Sequence, residues 1–176
     1  MFKGKIPSIM KKKQTSPNIS KNFMDHNHEL CFESALKDFK QHFIEKELKL
    51  TPLRLKVFQL LLKDHRPLGA YQILDLLRKD GFSSTPPIAY RVLDFLIEHG
   101  FVHKIKKLNA FVACSHPGNS HSPTFMICRK CENVAEINEK ESGLNFNKET
   151  SSEFKIEEAI IELIGICKNC TKLEVI

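Results

Sequence analysis

The feature that most constrains the fold is a pair of Cys-x-x-Cys sequences, Cys128/Cys131 and Cys167/Cys170, separated by 35 residues. Each sequence offers two sulfur ligands from one tight turn, and four thiolates complete a tetrahedral zinc site. A metal bound by both pairs requires the chain between them to begin and end at one point. We therefore predict a small subdomain that is closed by a structural zinc ion on the four cysteines.

A thioredoxin-like redox pair is the main alternative interpretation of this motif. That chemistry requires a βαβ setting with the first cysteine at a helix N-terminus, and the sequence predicts this setting for neither pair. Iron–sulfur ligation and unpaired use of the thiols are further alternatives. The N-terminus, MFKGKIPSIMKKKQTSPNIS, lacks the continuous apolar segment of a secretory signal. We expect a cytoplasmic chain, in which six cysteines are more often metal ligands or reactive thiols than disulfides.

The net charge of +6 is unevenly distributed. Residues 51–110 carry ten basic and five acidic side chains, whereas residues 111–176 carry seven and ten. A basic, helical segment suits a partner with a phosphate backbone, although a merely solvated face is the alternative. No apolar run approaches the roughly 20 residues that a membrane span needs, so we expect no membrane partner.

Residues 1–24 contain six lysines and no acidic residue, with few large apolar side chains. Such a segment buries too little surface to offset the entropy of ordering, so we predict a disordered basic tail. A solvated extension and a source of sequence-independent DNA affinity are both compatible with it. A true start at Met24 is a further possibility.

The segment after the tail has the pattern of a winged helix-turn-helix. Apolar residues at three- and four-residue steps predict a first helix, and Thr51 followed by proline predicts the start of the second. We predict four helices, over 29–48, 52–64, 70–79 and 86–98, and a hairpin of strands 101–106 and 110–114. On the first helix we count Leu30 and Ile44 among the apolar positions; on the fourth we expect five residues to face inward: Ile88, Val92, Leu93, Leu96 and Ile97. The fourth helix is the one that enters the major groove in this arrangement.

The second part of the chain has the pattern of a small α/β unit. Residues 115–123, SHPGNSHSP, form a predicted hinge between two domains, 25–114 and 124–176. We predict strands over 124–128 and 133–138, at best a short helix over 139–152, and a long strand over 154–166 that ends at a turn with the second cysteine pair. The fold class is therefore α+β. So small a unit needs a metal or a partner subunit for stability.

A second group of metal-ligand residue types lies near the hinge: His103, Cys114, His116, His121 and Glu136. Taken singly, each is more often an ordinary surface or core residue. Together, one thiolate, two imidazoles and a carboxylate form a good tetrahedral zinc set. The two strands of the hairpin, the hinge and the next strand would supply these ligands, so the site would bridge the two domains.

Residues 50–170 resemble the ferric uptake regulator family, and within it the zinc-sensing branch, the zinc uptake regulators. The matching segments are LTPLRLKVFQLL, LGAYQILDLLR, PPIAYRVLDFLIEHGFVHKI, NAFVACSH, HSPTFMICRKC and GICKNC. The resemblance implies a dimeric, metal-dependent transcriptional repressor with structural zinc on the four cysteines. It also implies a regulatory zinc site on His103, Cys114, His121 and Glu136, and thus two Zn²⁺ ions per chain.

The same resemblance implies DNA contacts from Tyr71 and Arg91. A guanidinium donates bidentately to guanine O6 and N7, and Tyr90 can pack on a thymine methyl or in the core. Many relatives read PPTVYR where this chain has PPIAYR, so Ile88 replaces a hydroxyl that reaches phosphate. His116 competes with His121 as a ligand, whereas Cys31 and the His26/His28 pair match no ligand of the family.

We therefore expect a zinc-sensing repressor that binds double-stranded operator DNA as a homodimer and controls zinc uptake. An iron- or peroxide-sensing relative is the nearest alternative, and the thiolate of Cys114 favours zinc over it. A DNA-binding protein whose only zinc is structural and a thiol oxidoreductase are the others. We expect neither enzymatic activity nor a small-molecule substrate, because no Ser/His/Asp set, phosphate loop or carboxylate pair stands out.

Overall fold

The computed structural model describes residues 28–63, 66–115, 117, 123–137 and 159–172. The predictions for the tail, for His26, His116 and His121, and for residues 139–152 lie outside these ranges. No helix within the described ranges is both long enough and apolar enough to cross a membrane.

Four helices form the first half of the molecule: α1 (His28–Glu45), α2 (Pro52–Leu62), α3 (Ala70–Lys79) and α4 (Pro86–Glu98). The predicted bounds of α3 and α4 are confirmed, and α1 ends slightly before its predicted end. The Thr51 hydroxyl accepts the Arg54 N–H at 3.3 Å and so caps α2. Two glycines with positive φ end α3 and α4, Gly81 at 80° and Gly100 at 70°, a conformation that side chains with a Cβ rarely adopt.

The core of this helical half (α1 to α4) is built on aromatic side chains. Phe39, Phe58 and Phe101 are at most 1% exposed. The rings of Phe39 and Phe58 are stacked with centroids 4.2 Å apart, and Phe101 meets Phe39 edge-on at 4.7 Å. Burial of such large rings is a strong apolar contribution, so this half has a core of its own.

Some predicted inward-facing residues lie on the surface. Ile88 is 40% exposed and the small Ala89 is buried in its place, so the prediction for Ile88 is wrong. On α1, Leu30 and Ile44 are 63% and 71% exposed. Ile44 follows Phe43, and successive helical side chains point about 100° apart. Because the larger Phe43 is buried, Ile44 is turned towards solvent.

A hairpin, β1 (Val102–Ile105) with β2 (Ala110–Ala113), follows α4, and we call it the wing. Leu68, between α2 and α3, adds an isolated antiparallel bridge to Phe111 on the wing. This order of helices, bridge and hairpin confirms the predicted winged helix-turn-helix.

Three further strands form a second sheet: β3 (Thr124–Cys128), β4 (Val134–Ile137) and β5 (Ile161–Gly165). Its order is β4-β3-β5, with β3 antiparallel to β4 and parallel to β5. The long strand predicted over 154–166 is wrong in extent, because residues 159 and 160 are not in a strand and 154–158 lie outside the described ranges. The turn predicted for the second cysteine pair is a short helix, α5 (Lys168–Lys172).

The wing contributes to two separate cores. Val102 and Phe111 are buried in the core of the helical half. Ile105 and Val112 are buried with residues of the second sheet, in a small cluster with Phe125, Ile127 and Val134. The wing therefore lies between the helices and the second sheet and contacts both.

Candidate functional site

The two cysteine pairs meet because β3 and β5 are parallel neighbours. Cys128 ends β3 and is paired with Gly165, the last residue of β5. Parallel strands finish at the same edge of a sheet, so each chain segment leaves that edge and enters its own Cys-x-x-Cys sequence. Residues far apart in the chain are thereby brought to one place.

The geometry of the four thiols fits a tetrahedral metal. Their sulfur atoms all lie within 4.8 Å of one another, and Sγ of Cys131 is 3.8 Å from Sγ of Cys167. Zinc–sulfur bonds of ~2.3 Å in a tetrahedron place the sulfurs roughly 3.8 Å apart. The backbone N–H of Cys167 also donates to Sγ of Cys128 at 3.3 Å, as is common for a thiolate ligand.

Ionisation of the thiols in this cluster would also be favoured by a bound cation. Burial raises the pKa of the Cys128 thiol, but backbone N–H groups, including those of Cys131 and Cys167, outweigh burial and lower that pKa to about 6. Desolvation and the neighbouring thiols raise the pKa of Cys170 to about 12. One thiolate therefore disfavours ionisation of its neighbours, and a metal ion among the four sulfurs would relieve that repulsion.

One premise of the redox alternative has to be corrected. Cys167 directly precedes α5, so one pair does begin at a helix N-terminus, contrary to the prediction. That helix has only five residues, and the pair lies against the other two thiols. A metal site is therefore favoured by the convergence of four sulfurs.

A second cluster joins the wing to the second sheet. The donor atoms of His103, Cys114 and Glu136 lie within 4.8 Å of one another. Nε2 of His103 is 3.6 Å and Sγ of Cys114 is 3.9 Å from Oε1 of Glu136. His103 pairs with Val112 in the hairpin, so Cys114 lies just past β2 and diagonally opposite His103.

This second cluster is buried and its charges are balanced locally. Cys114 and Glu136 are 3% and 4% exposed, and a buried carboxylate is costly without partners. The backbone N–H of Ser115 donates to Oε2 of Glu136 at 2.8 Å. Burial lowers the pKa of His103, but Cys114 and Glu136 outweigh it and raise that pKa to about 9. Cys114 and Glu136 thus favour a positive charge on the imidazole beside them, and a bound metal ion would have to displace that proton.

The described structure brings together three of the four predicted regulatory ligands. The fourth, His121, and its competitor His116 lie outside the described residues. Cys31 is on α1 and belongs to neither cluster of the described residues. The mixed set of imidazole, thiol and carboxylate is suited to zinc.

The predicted DNA contacts are on the surface of the helix-turn-helix. Tyr71, in the first turn of α3, is 70% exposed, and Tyr90 on α4 is 40% exposed. Arg91 follows on α4 and is also exposed. Ile88, one turn before Arg91, adds an apolar side chain that the sequence analysis placed in the core.

Sequence reasoning missed Glu162 on β5. Its Oε1 and Oε2 accept the backbone N–H groups of Lys106 and Lys107, at 2.6 and 3.0 Å. Both lysines are in the turn of the wing. The contact depends on how β5 is placed beside β3, and no motif in the sequence signals this.

Comparison with known proteins assigns the chain to a family. Residues 45–164 match the model of the ferric uptake regulator family. The chain belongs to that family. Within it, the chain is 34% identical over 132 residues to the zinc uptake regulation protein of Escherichia coli (strain K12), covering 74% of this chain and 77% of that protein. The zinc uptake regulation protein of Shigella flexneri matches with the same figures.

Solved structures of zinc uptake regulators match most of the chain. A zinc uptake regulator complexed with zinc and DNA has a TM-score of 0.74 and 32% identity, over 82% of this chain and 98% of that one. The crystal structure of holo XcZur has a TM-score of 0.69 and 35% identity, over 79% and 98%. The recognised family and its zinc-sensing branch are thus those that the sequence segments indicated.

Proposed function

We propose that this protein is a zinc-responsive transcriptional repressor that binds operator DNA as a homodimer and controls zinc uptake. The observation that carries the proposal is the second cluster: His103 and Cys114 come from the wing, and Glu136 from the second sheet, with donor atoms within 4.8 Å. A ligand bound there connects the DNA-binding part to the rest of the chain. The zinc uptake regulators among the relatives support zinc as that ligand.

Each chain would hold two zinc ions with different tasks. Cys128, Cys131, Cys167 and Cys170 would bind a structural zinc that holds the ends of β3 and β5 together. His103, Cys114, His121 and Glu136 would bind the regulatory zinc. When bound, zinc supplies a Lewis-acid centre that holds thiolate, imidazole and carboxylate ligands together. The thiolate of Cys114 supports zinc over iron(II), since softer ligands and the affinity order both favour zinc.

The domain organisation follows from these assignments. Residues 25–114 would form the DNA-binding domain, 115–123 the hinge, and 124–176 the domain for dimerisation and metal binding. α4 would enter the major groove, with Arg91 donating to a guanine edge. Tyr90 would pack on a sugar or thymine methyl, and Tyr71 would contact the backbone. Exposure of all three side chains supports these roles.

The regulation would act through the wing. If all three ligated one ion, His103 and Cys114 would hold the wing against Glu136, and α4 would be fixed relative to the dimerisation domain. Two α4 helices in a dimer must match two half-sites at a set spacing. By linkage, zinc tightens DNA binding by the same factor as DNA tightens zinc binding, typically ~1–3 kcal/mol per site.

The decisive experiment is a zinc titration of DNA binding by Cys114→Ser, with Cys31→Ser as the matched control. The probe is a duplex that the wild-type protein selects from a random library in the presence of zinc. We expect Cys31→Ser to keep zinc-dependent binding and Cys114→Ser to lose it while retaining its structural zinc. If zinc-dependent binding survives intact in Cys114→Ser, the wing site is not regulatory.

A further inference from the structure

The second sheet meets the wing along a single row of side chains. Phe125 on β3 is paired with Glu136 on β4 and with Glu162 on β5. Paired residues of neighbouring strands project from the same face of a sheet. The row Glu136–Phe125–Glu162 therefore crosses the three strands on the face that carries Ile127 and Val134, which pack with the wing.

The two ends of this row contact the two ends of the wing. Glu136 accepts the Ser115 N–H at 2.8 Å, just after the chain leaves β2. Glu162 accepts the Lys106 and Lys107 N–H groups at 2.6 and 3.0 Å, in the turn between β1 and β2. Between them Phe125 is fully buried.

The Glu162 contact uses both oxygens of one carboxylate. Its Oε1 and Oε2 each accept one backbone N–H, so two successive amides of the turn are satisfied by a single charged group. Such charge-assisted bonds are stronger than neutral ones. Because they involve main-chain atoms, they hold the turn itself and leave the lysine side chains exposed.

Two separated contacts define an orientation, whereas one permits rotation about it. A metal held by His103, Cys114 and Glu136 would tie the wing to the sheet at one point. Hydrogen bonds connect the wing to the end of α4, since the Phe101 N–H donates to the Leu96 carbonyl at 2.8 Å and the Cys114 N–H donates to the Phe101 carbonyl at 2.9 Å. The angle at which the wing lies on the sheet is therefore passed to α4.

We propose that Glu162 is a positioning residue for DNA binding, which holds the turn of the wing on the second sheet so that zinc binding at the other end of the row orients α4. This inference rests on the proposed function. Glu162 would act without contacting the regulatory zinc or DNA. By holding the turn of the wing, Glu162 would fix the angle between the wing and the second sheet, which a metal at the other end alone would leave free to change.

The first test measures the contact itself, without DNA. Glu162→Gln has almost the same shape but replaces one acceptor oxygen with an N–H₂ donor, which faces a backbone N–H. Glu33→Gln, on an exposed position of α1, is the matched control for the lost charge. In full-length, zinc-loaded protein we expect faster amide hydrogen exchange at Lys106 and Lys107 in Glu162→Gln alone. Unchanged exchange there would overturn the proposal.

The second test measures the consequence for DNA binding at saturating zinc, with the duplex selected by the wild-type protein. We expect Glu162→Gln to bind it about threefold to tenfold more weakly, with two zinc ions per chain retained and Glu33→Gln unchanged. Zinc content is the control here, because a general loss of structure would lower it. Faster exchange with undiminished DNA affinity would overturn the positioning role.

Failure of this inference can be told apart from failure of the proposed function. If wild-type protein binds DNA equally with and without zinc, the proposed function fails, and the positioning role that rests on it fails too. If wild-type binding depends on zinc and the exchange and affinity of Glu162→Gln match wild type, only the role of Glu162 fails. Should Glu162→Gln not fold, Glu162→Asp keeps both oxygens with a shorter reach, and we expect smaller changes in the same direction; no change in exchange overturns the proposal.

Discussion

The helical half and the second sheet are stabilised in different ways. The helical half buries a cluster of phenylalanines, among them Phe39, Phe58 and Phe101. Among the residues that the structure describes, the second sheet shares a small apolar cluster with the wing, and its strands β3 and β5 lead into four converging thiols. One region is expected to fold by apolar burial, and the other by binding a metal.

The wing lies between these two differently stabilised regions and contacts both. One of its faces packs in the aromatic core and the other against the second sheet, and its His103 and Cys114 meet Glu136 of that sheet. A site within one region could only stabilise that region. A metal ion bound between the two regions would change how they are arranged, as the proposed zinc-responsive regulation requires.

The largest effect should follow Cys128→Ser. A structural zinc supplies about 10–16 kcal/mol of folding free energy, comparable to the whole stability of a domain, about 5–15 kcal/mol. We expect the second sheet to lose its cooperative structure and the helical half to persist. Amide exchange resolved by residue checks this, with Cys31→Ser as control. If the amides of the second sheet stay protected from exchange, the two regions do not differ in their dependence on a metal.

The complementary change is Phe39→Ala. Truncating a fully buried ring leaves a cavity and costs about 3–5 kcal/mol, so the helical half should unfold at a lower temperature. The structural zinc should be retained, because the ring contacts of Phe39 are with Phe43, Phe58 and Phe101 of the helical half. Thermal melting and metal analysis of one sample measure both. Loss of the structural zinc would mean that the two regions fold as one unit.

Arg91→Ala tests the outer surface of the helical half. If Arg91 donates to a guanine edge, its loss should cost about 1–3 kcal/mol of binding and relax the preference at one base. Binding to the selected duplex and to single-base variants of it measures both effects. A loss that is equal on all duplexes would instead assign Arg91 to a phosphate. The zinc sites should be unaffected.

The smallest effect concerns His42 on α1, whose ring meets Phe101 edge-on at 4.8 Å. Burial lowers its pKa below 6.5, aided by His99 and Lys46 and opposed by Glu45. The neutral imidazole is therefore favoured when folded, and its contribution to stability is complete above about pH 6.5 and declines as the pH falls.

The variant His42→Gln removes this titration. Between about pH 7 and about pH 5.5, we expect α1 to lose protection against amide exchange more steeply in the wild type than in His42→Gln. Exchange within α1 reports on the helical half separately from metal release in the second sheet. Equal pH dependence in the two proteins would show that His42 has no part in it.

Much of the helical half was predictable because its boundaries are set by local chemistry. Thr51 with Pro52 begins α2, and Gly81 and Gly100 end α3 and α4. The exposure of Ile88 was not predictable in the same way. Which of two adjacent apolar residues faces inward depends on the rotation of α4 against its neighbours, and the buried position went to Ala89.

The candidate sites likewise include features that the sequence predicts and features that depend on tertiary packing. The convergence of the four cysteines could be predicted from the residue types and spacing, and the cluster of His103, Cys114 and Glu136 from the residue types together with the family resemblance. The role of Glu162 could not, because it depends on β5 pairing with β3 in a register that aligns Glu162 with Phe125. Residue patterns indicate which strands form, but the contact between distant residues is decided by tertiary packing.

Whether the wing carries a metal of its own is decided most directly by zinc content per chain together with ligand identity from X-ray absorption, compared between wild type and Cys114→Ser. We predict two zinc ions in the wild type, one with four sulfurs and one with mixed sulfur, nitrogen and oxygen ligands. Cys114→Ser should lose the mixed site and retain a zinc ion with sulfur ligands alone. A single all-sulfur zinc in the wild type would contradict the assignment of a sensor between the two regions.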